Sequence, residues 1–382
     1  MNKQTVMGLG VGVLGLALAA CGSSSSSGSS SSSTTPATNW ATVTSAQAGG
    51  GMNALIAAAK KEGQLNVVAL PPNWANYGEL ISTFQQKYGI TVNSQNPDGS
   101  SAQELEALKA EKGTSKEPDV VDVGPSFALL GAQQGLFAPY KVAEWNQIPA
   151  TAKDPSGNWY FDYGGYISIG YNATTFGSNP PTGFASLLQP QYKGAVALDG
   201  NPTSAGAAFG AVYAAALANG GSLNNIQPGL NYFKQLNAAG NFVPVQSSAA
   251  VIESGQIKVN IDWDYLNAAY AQAVAGKVNW KVFIPANAKY ASYYAQAISA
   301  NAADPAAARL WEEFLYSAQG QNLWLKGLAR PILLPAMQAA GTVNATYMAA
   351  LPPVSGTPTF PTQAQLTAAQ QLVANQWPTI TG

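Results

Sequence analysis

Gln64-Leu65-Asn66-Val67-Val68-Ala69-Leu70, Ile90-Thr91-Val92-Asn93 and Asp119-Val120-Val121-Asp122-Val123 are three short apolar runs, and what separates them decides the fold. Between the first two, Leu80, Ile81, Phe84 and Tyr88 form one stripe of a helix from about Tyr77 to Tyr88, closed by Gly89. Between the second and third, Ser101-Ala102-Gln103-Glu104 has capping-box spacing and opens a helix through Lys112. Upstream, Leu55, Ile56 and Ala59 give a helical face that ends at Gly63. Strands alternating with helices at this spacing make βαβ units and a parallel sheet. The rhythm restarts after about Tyr166, with strands at Ala195–Leu198, Ile257–Asp262 and Lys281–Ile284 and helices at Ala205–Asn219 and Pro228–Ala239. Asp304-Pro305 then opens another helix, Asp as cap and Pro in the first turn. The expectation is two α/β lobes, with the C-terminal part returning to the first.

The N-terminal residues argue compartment. Lys3 is followed by the apolar stretch Gly8 to Ala20, shorter than the ~20 residues that cross a hydrocarbon core and shaped like a signal peptide. It ends in Leu18-Ala19-Ala20-Cys21-Gly22, which resembles the lipobox of bacterial lipoproteins and implies cleavage before Cys21 and its lipidation. The plainer reading is a secretory signal that happens to contain a Cys. Ser23 to Thr38 is a Ser/Gly/Thr/Pro tract with nothing to bury and reads as a tether.

Cys21 is the only cysteine, and there is no histidine. With Cys21 in lipid, disulfides, thiolate metal sites and cysteine nucleophiles drop out, as do the usual general base and the usual metal ligand. Catalysis is disfavoured, and neither cofactor nor metal is expected. A net charge of −1 with 10% charged residues leaves no electrostatic footprint for nucleic acid.

The order of segments from about Leu55 to Leu334 resembles the extracellular solute-binding proteins of ABC importers, in the group with polyamine-, ferric- and phosphonate-binding members. The likeness rests on Leu65-Asn-Val-Val68 through Asn73-Trp74-Ala-Asn-Tyr77, on Pro118–Val123 with Gly135-Leu-Phe-Ala-Pro-Tyr140, on Tyr166–Asn172 as the first inter-lobe crossover, and on Ala306–Leu315 continuing to Gly320, Gln321 and Trp324. It implies an α/β, two-lobed, type II periplasmic-binding-protein-like fold. Each lobe would be a mainly parallel sheet flanked by helices, with crossover strands between and ligand in the cleft. The expected divisions are 1–20 signal peptide, 21–50 tether, 51–165 first lobe, 166–288 second lobe, and 289–382 a return to the first lobe plus a C-terminal extension.

Ligands in such sheets bind beyond the carboxyl ends of the strands. Trp74 and Tyr77 match cleft aromatics of the polyamine-binding members, or are core aromatics of a turn. Ser126 either meets ligand or caps the next helix. Thr203 and Ser204 precede the Ala-rich helix, where free N–H groups favour an anion, or they simply cap it. Asp262 and Asp264, spaced i and i+2 on a strand, would share a face and hold a cation between them, with Trp263 and Tyr265 as cation–π surface. The alternative has one of them capping the next helix. Trp263 also matches a cleft Trp of the polyamine-binding members. Where those members carry Trp-x-Asp after the return crossover, this chain has Ser292-Tyr293-Tyr294. Tyr293 and Tyr294 are similar in composition to the tyrosine pair of ferric-binding members, whose sites also use the histidine missing here.

The leading expectation is a monomeric, lipid-anchored binding component working with a membrane permease, outside the cytoplasm or in the periplasm. Its ligand would be a small organic solute, polyamine-like or zwitterionic. A ferric-ion, phosphonate or thiamine binder of the same fold is the alternative. From other classes come a surface glycosidase using Asp262 and Asp264 and a sugar-binding lectin suggested by aromatic content.

Overall fold

The computed structural model describes residues 38–354 and 360–381. The signal segment, Cys21 and most of the tether lie outside the described residues.

The first half of the fold contains α1 (Met52–Glu62), β1 (Gln64–Val68), α2 (Tyr77–Tyr88), β2 (Thr91–Gln95), α3 (Ser101–Ala110), β3 (Val120–Val123), α4 (Pro125–Gln133) and β4 (Phe137–Ala138). β1 pairs parallel with both β2 and β3, as the alternating pattern requires. The long strand β5 (Tyr160–Asn172) then leads, through the single turn α5 (Ala173–Phe176), into a second set. That set comprises β6 (Val196–Leu198), α6 (Gly206–Ala218), α7 (Gln227–Ala238), β7 (Phe242–Gln246), α8 (Ala249–Glu253), β8 (Val259–Trp263), α9 (Asp264–Ala273) and β9 (Trp280–Phe283). β10 (Ala291–Ser299) returns the chain to the first lobe, where α10 (Pro305–Leu315), α11 (Ala318–Lys326), β11 (Arg330–Pro331), α12 (Leu334–Ala340) and α13 (Ala345–Ala349) follow. A last helix, α14, spans Gln363–Thr381.

The strand order β2-β1-β3-β10-β5-β8-β6-β7 shows how two lobes share one sheet. The first part of β5 pairs antiparallel with β10 of lobe one, and its second part pairs antiparallel with β8 and β9 of lobe two. Within lobe two, β6 is parallel to both β7 and β8. One strand thus runs through both lobes and joins them. The lobes touch beside it: a Cβ added to Gly124, at the start of α4, would lie 3.4 Å from Gly206 Cα at the start of α6.

Two local expectations shift. The helix cap near position 101 is one residue earlier, where Gln103 Oε1 accepts from Ser100 N at 2.8 Å. Glu104 is thereby freed to turn inward and accept from Asp122 N at 2.9 Å. The segment before Met52 is also more structured than a tether running to residue 50 implies. Trp40 is buried against Gly49, and Arg309 donates to Val43 O (2.8 Å) and Ala41 O (3.1 Å). An indole next to a glycine gives that stretch something to bury, which the serine tract lacks.

Candidate functional site

The carboxyl ends of β1, β2 and β3 face those of β6 and β7 across a cavity of about 530 Å³. Lobe one contributes Trp74 after β1, the Pro97–Glu104 turn into α3, and Asp122 on β3. Lobe two contributes Asp199 after β6, Ser204 to Ala207 at the start of α6, Gln246 to Ser248 at the end of β7, and Tyr270 of α9. Tyr294, from the return crossover, completes the wall.

Among the described residues, Ala69, which follows β1 and lines the cavity, is one of five non-glycine residues with a positive φ, at 55°. Strained backbone of this kind persists where surrounding packing over-determines it, and binding sites are the usual location.

Asp122 is the best-defined group. Its Oδ2 accepts from Tyr77 Oη (2.7 Å) and Tyr163 Oη (2.8 Å), and Trp74 Nε1 donates to that same Tyr163 oxygen at 2.7 Å. Oδ1 has no partner among the described residues, although Asp122 is only 5% exposed. A buried acceptor left open costs about 1–3 kcal/mol unless something fills it. Burial pushes the Asp122 carboxyl up to about 7 against the pull of the two tyrosine hydroxyls. On the facing lobe, burial, with the charge of Asp98 adding, pushes Asp199 up to about 7 as well. Glu104 lies well above its ordinary range, raised by burial and then by the neighbouring Asp122. Asp98, Glu104, Asp122 and Asp199 all line the cavity, and no described lining residue is basic.

Of the residues singled out from sequence, Trp74, Ser204 and Tyr294 line this cavity. Tyr77 is fully buried and acts through Asp122. Ser126 is buried in α4, whose cap position is Gly124, so it neither lines the cavity nor caps the helix. Thr203 folds back on Asn201 Oδ1 at 2.9 Å, and Ser204 Oγ donates to Asn201 O at 3.3 Å. The cap of α6 is Ala205, which has no side chain to offer. Tyr293 sits outside, stacked on Phe161 at 6.0 Å.

Asp262 and Asp264 are not brought together on the cavity. The strand ends at Trp263 and Asp264 starts α9, so the alternation that would align i with i+2 breaks between them. Asp262 accepts from Trp263 N (2.7 Å) and Asn260 Nδ2 (3.2 Å). Asp264 accepts from Tyr166 N at 2.9 Å and forms an ion pair with Arg330. Burial still lifts Asp264 above its ordinary value, with the Arg330 charge opposing. Trp263 and Tyr265 form the layer behind the wall: Tyr265 meets Trp74 edge-on at 6.1 Å and Trp263 meets Tyr294 at 6.4 Å.

Asp122 and Asp199 were legible and were missed. Asp122 interrupts an otherwise apolar buried strand, and Asp199 directly follows the strand Ala195–Leu198. The rule that ligands sit beyond strand ends points to both.

Residues 115–353 match the family model described as bacterial extracellular solute-binding protein. Among solved structures, the chain resembles the periplasmic binding protein AfuA from Actinobacillus pleuropneumoniae, with fructose-6-phosphate bound: 20% identity over 84% of this chain and 99% of that one, TM-score 0.65. Iron-bound HitA from Pseudomonas aeruginosa is similar at 18% identity over 82% and 98%, TM-score 0.59. The substrate-binding protein of an ABC transporter from Agrobacterium tumefaciens is similar at 16% identity over 84% and 94%, TM-score 0.64. No curated protein matches in sequence. Among the described residues, no helix is long and apolar enough to cross a membrane. Two lobes on a shared crossover sheet, a cavity between them and a family match over more than half the chain agree: the chain belongs to the bacterial extracellular solute-binding proteins, a family of transport proteins rather than enzymes, and has the type II periplasmic-binding fold.

Proposed function

We propose that this chain is the lipid-anchored capture component of an ABC importer, and that its solute carries an amine. Asp122, buried with one oxygen unpartnered, and Asp199 of the other lobe line one cavity with no described basic lining residue, and this carries the reading. An ammonium donates to such acceptors, and a charged partner makes the hydrogen bond roughly twice as strong as a neutral one. Trp74, Tyr270 and Tyr294 line the same cavity, and aromatic rings are favourable neighbours for a cation. Proteins of the same fold hold ligands as different as fructose-6-phosphate and iron, so the fold does not set the ligand and the cavity lining must.

A zwitterionic amine is the second reading, favoured by the starts of α3 and α6, which approach the same cavity from opposite lobes. A ferric ligand has less support, because among the described residues no three His, Cys, Asp or Glu gather as a metal site. Anchoring rests on Leu18 to Cys21 and on the serine tract that follows.

Native mass measurement of the whole chain as isolated tests the ligand class. An added mass matching a small amine supports the reading. A co-purified metal ion, or an anion without an amine, contradicts it.

A further inference from the structure

The family match ends at residue 353, and α14 lies beyond it. This last helix is not a loose appendage. On lobe two, Trp377 packs edge-on against Phe233 (5.4 Å) and Phe242 (6.1 Å). Gln376 and Gln227 exchange paired amide hydrogen bonds at 2.8 and 2.9 Å, and Asn237 Nδ2 donates to Ile380 O at 2.7 Å. Tyr213 Oη, in the middle of α6, donates to Gln365 O at 3.1 Å. The same helix also packs on α4, which follows β3 in lobe one.

The approach to α14 is held at the hinge. Arg330, on β11 of lobe one, donates to Pro352 O at 2.8 Å while pairing with Asp264 of lobe two. Phe360 then lies over Tyr293 of the return crossover at 5.6 Å. From this geometry we infer that α14 is an inter-lobe strap: docked on α7 and β7 of one lobe and on α4 of the other, it holds the cleft closed.

The physical basis is simple. If the lobes part by rotation about β5 and β10, the distance between α4 and α7 changes, and a rigid helix cannot stay docked on both. Opening therefore requires α14 to leave one of them. Such contacts act on the open–closed equilibrium whether or not ligand is present, so the strap is tested without knowing the solute. Its consequence for solute capture rests on the reading of the cavity as the binding site; its effect on lobe separation does not.

The test uses the whole chain with Cys21→Ser and spin labels on Lys112→Cys and Gln272→Cys, exposed sites on lobes one and two. Electron–electron resonance reads the inter-lobe distance without ligand. Trp377→Ala removes the main anchor on lobe two, and Gln227→Arg breaks the paired amides near the surface without touching the core. Both variants are expected to raise the longer-distance population at least about tenfold, equivalent to about 1.4 kcal/mol of lost cross-lobe contact. Hydrogen exchange on the same samples reports whether α14 has been released. Released α14 with an unchanged distance distribution in either variant overturns the strap. Should Trp377→Ala fail to fold, Gln227→Arg alone decides.

Discussion

Asp122 gives one oxygen to the fold and leaves the other without a protein partner in the wall of the cleft. Two tyrosine hydroxyls saturate Oδ2, so the carboxylate is oriented before any solute arrives. Asp122→Asn keeps an acceptor for those tyrosines and removes the charge. It is expected to weaken an amine by about 10–100-fold, the worth of a hydrogen bond to a charged group, with Asp199→Asn behaving similarly in calorimetric titration. Acidity adds a second expectation. Both carboxyls are pushed up to about 7, against roughly 4 in an unfolded chain. The folded, empty protein therefore keeps protons that the unfolded chain loses, and its stability falls as pH rises from about 4 to about 7. An ammonium reverses the preference by favouring the ionised form, so amine affinity should climb over the same range. The limit is about tenfold per pH unit for each carboxylate deprotonated. Thermal melts and titrations across pH should thus move in opposite directions.

Among the elements, β5 and its neighbours decide how the lobes communicate. Arg330 on β11 reaches across to Asp264 at the start of α9, a partly exposed guanidinium on a fully buried carboxylate, joining the two lobes. Replacing it as Arg330→Met leaves Asp264 buried without its counter-charge, and chemical denaturation at pH 8 should show a loss of about 3 kcal/mol. The loss should shrink at acid pH, where Asp264 takes up a proton. Much of this layer was legible from periodicity: α1, β1, α2 and β3 fall where Leu55, Val67, Phe84 and Val121 imply, because each element buries one regular face. The junction at Asp262-Trp263-Asp264 was not, since alternation along a strand gives no warning of where the strand stops. Nor was α14 read from sequence. Its buried positions Leu366, Ala369, Val373 and Trp377 form a stripe, but glutamines and alanines between them dilute the pattern.

Across the whole molecule, recognition and movement share one axis. Asp122 belongs to lobe one and Asp199 to lobe two, so a cation held by both is also a bond between lobes. Closure around it would work with the docking of α14, and an anchor at Cys21 would keep the closed complex near its permease at high effective concentration. The site itself was only partly legible, because it is made by two strand ends, Asp122 and Asp199, brought together by a sheet that reverses through β5. Sequence proximity favoured Asp262 and Asp264, which the structure does not bring together on the cavity. Calorimetric titration of the whole chain with Cys21→Ser, using a linear diamine, a longer polyamine and the diacetylated diamine, goes to the centre of the matter. Cation capture predicts that the free amines bind, that acetylation abolishes binding, and that Asp122→Asn weakens it by about 10–100-fold. Binding that survives both acetylation and Asp122→Asn, or no amine binding at any pH between about 6 and 9, would contradict it.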